Sequence, residues 1–255
     1  MESLDALLGL PFPVRFSVFC RSLWVQALWN FERMQNLGFL FCLDPLLRRW
    51  TREEAELDKV KQRHLEFFNT QPYLVNFAVG AVAAMEERRS LEKILLLKES
   101  LASALAALGD SLFWASLRPA CMLWSLLGLG LLRALGIPGF LWLGLGLPLL
   151  FYNLVSFWMR WKGLEMGYQF QERLGVELKR FPWQRWTQWI RRSGWLACIG
   201  VCGLALLVQP DFWSILRNFL ILAFALAAKE ADFSSRSLIW GFLLFCLLLG
   251  GFGWL

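Results

Sequence analysis

From Ile137 to Met159 the chain runs 23 residues without one charged side chain. About 20 apolar residues suffice for a helix to cross the hydrocarbon core of a bilayer. Further stretches of the same kind follow. Cys121–Ile137 is apolar except for Arg133, and Gly194–Gln209, Phe212–Ala228 and Leu238–Leu255 complete the series. The composition agrees, with 57% hydrophobic and 18% charged residues against about 45–50% and 25% in soluble domains. The fold class read from this is an all-α integral membrane protein with several transmembrane helices. Gly136-Ile137-Pro138-Gly139 and Gln209-Pro210-Asp211 are the breaks between spans.

The net charge of +6 would suit nucleic acid if it were clustered, but the Lys and Arg are dispersed between apolar segments. Basic loops that fix membrane topology account for that pattern, and no nucleic-acid partner is expected. By the same rule the cation-rich stretch from Arg160 to Arg192 is expected to be cytoplasmic, the cation-free turn at Pro210 outside, and the C-terminus outside. Arg217-Asn218 inside a span argues for packing against protein. The acidic start, Met-Glu-Ser-Leu-Asp, argues against a cleaved signal peptide.

The first half is different. Residues 12–47 alternate apolar and polar at helical spacing, as amphipathic helix does. Residues 51–66 are the most polar stretch, with Thr51-Arg52-Glu53-Glu54 as an expected capping box. Pro72 opens the apolar run Tyr73–Met85, whose 13 residues are too few to cross a bilayer unaided. Leu101–Leu108 and Leu112–Leu117 are two short apolar pieces separated by Gly109-Asp110-Ser111, a pattern expected of a re-entrant hairpin. Three regions result: an N-terminal amphipathic arm, residues 1–50; a core with broken segments, 51–135; and a transmembrane helical region, 136–255.

Two polar runs sit in this otherwise apolar half: Trp29-Asn30-Phe31-Glu32-Arg33-Met34-Gln35-Asn36-Leu37-Gly38-Phe39 and His64-Leu65-Glu66-Phe67-Phe68-Asn69-Thr70-Gln71-Pro72-Tyr73. Amides and charges among Trp, Phe and Leu are costly to bury without partners, so a hydrated cavity or polar ligand site is the economical reading. Asn and Gln donate and accept together, which suits sugar hydroxyls, while aromatic rings can cover a pyranose face. Asn69, Thr70 and Gln71 could equally cap the helix that begins at Pro72. His64 is the only histidine, which excludes a multi-histidine metal site; it is expected to be surface filler on a charged helix. The six cysteines have no metal-site spacing and read as apolar filler. Glu53-Glu54 and Glu86-Glu87 are neighbours that point in different directions on a helix, so neither is a catalytic pair. No phosphate-binding loop, dinucleotide fingerprint or nucleophile elbow occurs. No catalytic residue, metal or cofactor is expected.

Read together, the two polar runs, with Gly109-Asp110-Ser111-Leu112-Phe113-Trp114, Arg118-Pro119 and the weaker Phe151-Tyr152-Asn153-Leu154, Lys162-Gly163 and Gly167-Tyr168, resemble the IID component of mannose-class sugar phosphotransferase (PTS) permeases. The similarity covers about residues 14–170. It implies a multi-pass subunit of the bacterial inner membrane, in a hetero-oligomer with a IIC membrane partner. The pair would carry a hexose that soluble IIA and IIB proteins phosphorylate. It also implies a sugar-bearing core domain and a second helical domain in an elevator-type carrier. The residues implied at the substrate are Asn69, Thr70, Gln71, Asn30, Gln35, Asn36 and Asp110. The IID component is not itself phosphorylated. Where the family usually has Gly or Pro before its Gly-Asp turn, Leu101–Leu108 has helix formers, which stiffen that arm. The alternative function is a non-transporting membrane sensor or scaffold for PTS proteins.

Overall fold

The computed structural model describes residues 10–51, 53–87 and 91–208. Its regular structure is helical: α1 Phe12–Ser22, α2 Asn36–Trp50, α3 Glu54–Arg63, α4 Val75–Glu87, α5 Leu91–Gly109, a π-helical segment Asp110–Leu117, α6 Arg118–Ala134, α7 Phe140–Phe170, a 3-10 turn Gln171–Arg173, α8 Leu174–Arg180 and α9 Trp183–Val208. Packing divides the chain into Met1–Ile199 and Gly200–Leu255. The expected spans Phe212–Ala228 and Leu238–Leu255, the turn at Pro210 and Arg217-Asn218 lie outside the described residues.

Helix α4 is the centre of the first unit. Every residue from Val75 to Glu86 is buried, which explains how 13 residues too short to span a bilayer can be almost wholly apolar: protein covers them on all sides. Its closest neighbour is α7, and glycines set the approach. A Cβ on Gly167 would lie 2.2 Å from the Phe77 carbonyl oxygen, and one on Gly80 2.4 Å from that of Leu164. The two backbones therefore touch where any side chain would hold them apart. Asn76 then donates from Nδ2 to the Arg160 carbonyl at 3.0 Å, spending a buried amide on the same contact.

Around this pair, α1 is fastened to α7 by the buried Arg15–Glu165 ion pair at 3.0 Å, with Lys162 on the other carboxylate oxygen at 2.7 Å. Two helical stretches, Lys93–Ala134 and Phe140–Arg180, are long and apolar enough to cross a membrane. In the second, Leu141, Trp142, Leu145, Leu147, Leu149 and Leu150 are all exposed, the outward apolar face that lipid or a partner must cover. The expected break between these helices is present, with Gly136 and Gly139 at φ +65° and +75°, the left-handed region that glycine enters without strain.

Four expectations require correction. Residues 12–47 are not one amphipathic helix, because turns and short bridges occupy residues 23–35 between α1 and α2. Thr51 does not cap α3; that helix starts at Glu54 after Glu53, with no side-chain cap bond. The stretch from Arg160 to Arg192 is not one loop: α7 continues through Phe170, and Arg160 is a buried helical residue whose guanidinium lies 4.6 Å from the Tyr73 ring centroid.

The fourth is the re-entrant hairpin. The chain does not turn at Gly109-Asp110-Ser111 but passes from α5 through the π-helical segment into α6. There the wider i to i+5 pattern holds: the Arg118 N–H donates to the Phe113 carbonyl, and Ser116 Oγ to the Ser111 carbonyl at 2.7 Å. A π-bulge absorbs one extra residue and re-phases the helix faces. Leu112, Phe113, Ser116 and Leu117 thus stay inward although Gly-Asp-Ser interrupts the apolar pattern.

Candidate functional site

The two polar runs meet in space. Met34 and Phe68 pair as a short bridge, with the Gln35 N–H donating to the Phe68 carbonyl at 2.8 Å and the Phe68 N–H to the Arg33 carbonyl at 3.3 Å. The Gln35 side chain then reads the second run as another strand would. Its Nε2 donates to the Thr70 carbonyl at 2.8 Å, and its Oε1 accepts from the Thr70 N–H at 3.2 Å. Asn36 Nδ2 donates to the Leu65 carbonyl at 2.6 Å and its Oδ1 accepts from Asn30 Nδ2 at 3.1 Å. Asn30 Oδ1 accepts the Arg33 N–H at 2.7 Å. Thr70 Oγ1 donates to the Ala102 carbonyl on α5 at 3.1 Å. Backbone polar groups in irregular segments need partners when buried, and these amides supply them.

This divides the seven sequence-derived residues. Gln35, Asn36 and Thr70 are buried and committed to holding the two runs together, and Asn30 is half-buried and pairs with Asn36. Asn69 and Asp110 are exposed. Gln71 does both: Oε1 accepts the Tyr73 N–H at 2.6 Å, which caps the turn before α4, while Nε2 is buried without a partner. The capping reading thus fits half of one amide. Gly109 presses on the Gln71 side chain, where a Cβ would come within 2.4 Å of the Gln71 Cβ. The absence of a side chain at Gly109 brings the α5 end, and Asp110 with it, beside Gln71. Asn69 lies two residues before Gln71, and Asp110 directly follows Gly109.

Around His64 lies a buried charged cluster that the sequence reading placed in solvent. His64 has no exposed surface. Its Nε2 lies 2.9 Å from Glu86 Oε1, and Arg63 grips the same carboxylate with two nitrogens. Lys98 Nζ donates to the His64 carbonyl at 3.3 Å and sits 5.1 and 5.6 Å from the Phe39 and Phe68 rings. Burial depresses the His64 pKa, outweighing the hydrogen bond and charge of Glu86 that act to raise it. Burial acts to raise Glu86, but the bonds from His64 and Arg63 win and hold it below the ordinary carboxylate range. The pair is therefore neutral imidazole against carboxylate, with Nε2–H donating. His64 Nδ1, with no partner, has no acceptor for a second proton. A phosphoryl group cannot reach so enclosed a ring, so the cluster is a brace for the clasp that the two runs form. The signal was present in the sequence: Leu57, Val60 and His64 are spaced three and four apart, and both apolar members are buried. Glu86 and Glu87 do point apart, Glu87 accepting from the Tyr168 hydroxyl. Among the described residues no His, Cys, Asp and Glu cluster could hold a metal.

The family model described as "PTS system mannose/fructose/sorbose family IID component" matches residues 14–199. The mannose-specific EIID component of Escherichia coli (strain K12) is 39% identical over 161 residues, which are 59% of this chain and 53% of that relative. The fructose permease IID component of Bacillus subtilis (strain 168) is 35% identical over 164 residues, 60% of this chain and 55% of that protein. The chain spans about half the length of the curated relatives it matches. Two solved structures share the fold at 26% identity and 96% coverage of this chain. One, described as the structure of a membrane protein, gives a TM-score of 0.73 over 98% of its own chain. The other belongs to a cryo-electron-microscopy complex of the mannose transporter ManYZ with microcin E492, with a TM-score of 0.54 over 97%.

Proposed function

We infer function from one fact: this chain belongs to the PTS mannose/fructose/sorbose family of IID components. On that premise it is the IID membrane subunit of a permease. It works with a IIC partner in the bacterial inner membrane to translocate a hexose, which IIA and IIB proteins phosphorylate. The observation that carries the site is the division of amides within the clasp. Gln35 and Asn36 hold the backbone, while Asn69 and Asp110 are exposed and the buried Nε2 of Gln71 has no hydrogen-bond partner. Donors and acceptors held on a rigid support, with no internal partner, are what a polyhydroxylated ligand requires. The site offers no acid, base or nucleophile arranged for chemistry, in keeping with a subunit that positions sugar while another component transfers phosphate.

The test separates ligand contact from support. In cells holding the cognate IIC, IIA and IIB proteins, Asn69→Ala and Gln71→Ala are measured for assembled protein and for affinity toward labelled mannose. A lost buried hydrogen bond costs about 1–3 kcal/mol, equal to a roughly five- to over a hundredfold weaker affinity. Normal affinity in both variants removes these residues from the site. Normal assembly of the unmodified chain with no uptake of any hexose favours the sensor or scaffold function.

A further inference from the structure

We propose that the outer face of α9 binds the headgroups of anionic phospholipids through Arg185 and Arg192, with Trp189 between them. The inner face of this helix is settled by packing. Trp183, Thr187, Gly194 and Ala197 are buried, and Gly194 lies against Ala120, where its Cβ would be 3.3 Å away. Opposite them, Arg185, Trp189, Arg192, Trp195, Leu196 and Ile199 are exposed, with Trp189, Trp195 and Leu196 each about 60–70% accessible. This outer stripe changes character along its length: cations with tryptophan as far as Arg192, then tryptophan and aliphatic residues only.

The same change occurs at the same height on a neighbouring helix. Arg191 Nε contacts Ser116 Oγ at 2.9 Å and Gly194 contacts Ala120, so α9 and the start of α6 run parallel, with residue 118 level with residues 192 and 193. Exposed Trp114 lies under the Arg118 guanidinium at 5.1 Å, as Trp189 lies under Arg192 at 5.8 Å. Next along α6 the exposed residues are Pro119, Met122 and Leu126, with Leu131 and Arg133 exposed toward its far end. Two parallel helices whose exposed arginines give way to uncharged, apolar side chains at one level mark the edge of the hydrocarbon, where amphipathic rings and basic residues belong.

Charge decides which lipid. Glu172 pairs with Lys93 and Glu177 with Arg180, and among the described residues no carboxylate pairs with Arg185 or Arg192. Two guanidinium groups, seven residues and so about 10 Å apart along one face, await oxyanions at headgroup depth. Phosphodiesters without a compensating ammonium supply them.

This rests on the chain being a membrane subunit, and the experiment keeps the two readings apart. Full-length chain is first floated with vesicles of neutral phosphatidylcholine; failure to insert there overturns both readings. Inserted protein is then delipidated in neutral detergent and offered equal phosphatidylglycerol and phosphatidylcholine, and retained lipid is counted by native mass spectrometry. The expected result is selective retention of phosphatidylglycerol, falling about fivefold per arginine in Arg192→Gln and Arg185→Gln/Arg192→Gln. Retention persists in Arg185→Lys/Arg192→Lys and in Lys59→Gln, a control on exposed α3 that makes the same change of net charge as Arg192→Gln. Equal retention of the two lipids by the unmodified chain, as expected if a protein partner covers this face, overturns the proposal. An equal loss in Lys59→Gln and Arg192→Gln does so too.

Discussion

Acidification from pH 7 to 5.5 titrates His64, the only histidine in the chain. In the folded chain its pKa is depressed, burial being the main cause, so the native state stays neutral where the unfolded chain protonates near pH 6.5. The unfolded state then binds more protons, and stability rises with pH through this window. The contribution is fully present above about pH 6.5 and is lost as pH falls toward the folded-state value. At pH 5.5, one unit below the unfolded value, the loss is bounded by about 1.4 kcal/mol. At about 2–4 °C per kcal/mol, that is a fall in melting temperature of at most about 3–6 °C. Glu86, itself depressed by His64 and Arg63, adds its own loss only below about pH 4.5, outside this range. The assay is thermal unfolding of detergent-solubilised protein at pH 8.0, 7.0, 6.0 and 5.5, beside His64→Gln, whose curve is expected to be flat between pH 7 and 5.5. A stability that rises on acidification would mean that His64 is a charged partner of Glu86 in the native state, and the neutral-brace reasoning would fail.

Replacing Glu165 by Gln removes the carboxylate that both Arg15 and Lys162 contact and is expected to lower stability, whereas Arg15→Met/Glu165→Leu recovers most of that loss in chemical denaturation. Gly167→Ala drives a methyl into the Phe77 carbonyl, a backbone atom that cannot swing aside. A loss of about 3 kcal/mol or more, seen as reduced folded yield, is expected, and unchanged yield would contradict the α4–α7 contact. If the proposed IIC partner is right, the chain purified alone should melt at a lower temperature than with IIC, since exposed leucines and tryptophans along α7 gain cover on assembly; an unchanged melting curve on adding IIC refutes this.

The membrane-scale features were legible in sequence because they depend on long averages. The uncharged run into α7, the Gly136–Gly139 break and the shortness of the apolar run Tyr73–Met85 all follow from local composition. The misreadings came from positions where a tertiary contact overrides local chemistry. Gly109-Asp110-Ser111 carries every sign of a turn, yet a helix continues through it, because one π-bulge costs less than exposing two helix ends to an apolar interior. His64 sits among charges in sequence, but the face it shares with Leu57 and Val60 turns inward onto Glu86.

The polar runs show where sequence reasoning stops. Residue type marks Asn30, Gln35, Asn36, Asn69, Thr70 and Gln71 as one set, since each offers donors and acceptors in an apolar setting. Only the fold tells which of them have spent those groups. Gln35 makes two bonds to the Thr70 backbone and is buried, so no ligand reaches it without loosening the clasp. Asn69 lies one residue away on the same segment, exposed and uncommitted. A substitution at Gln35 should therefore lower assembly and affinity together, while one at Asn69 should lower affinity alone. Residues of near-identical chemistry, on segments that touch, thus divide according to whether the fold has already satisfied them, and the proposed site takes those it has not.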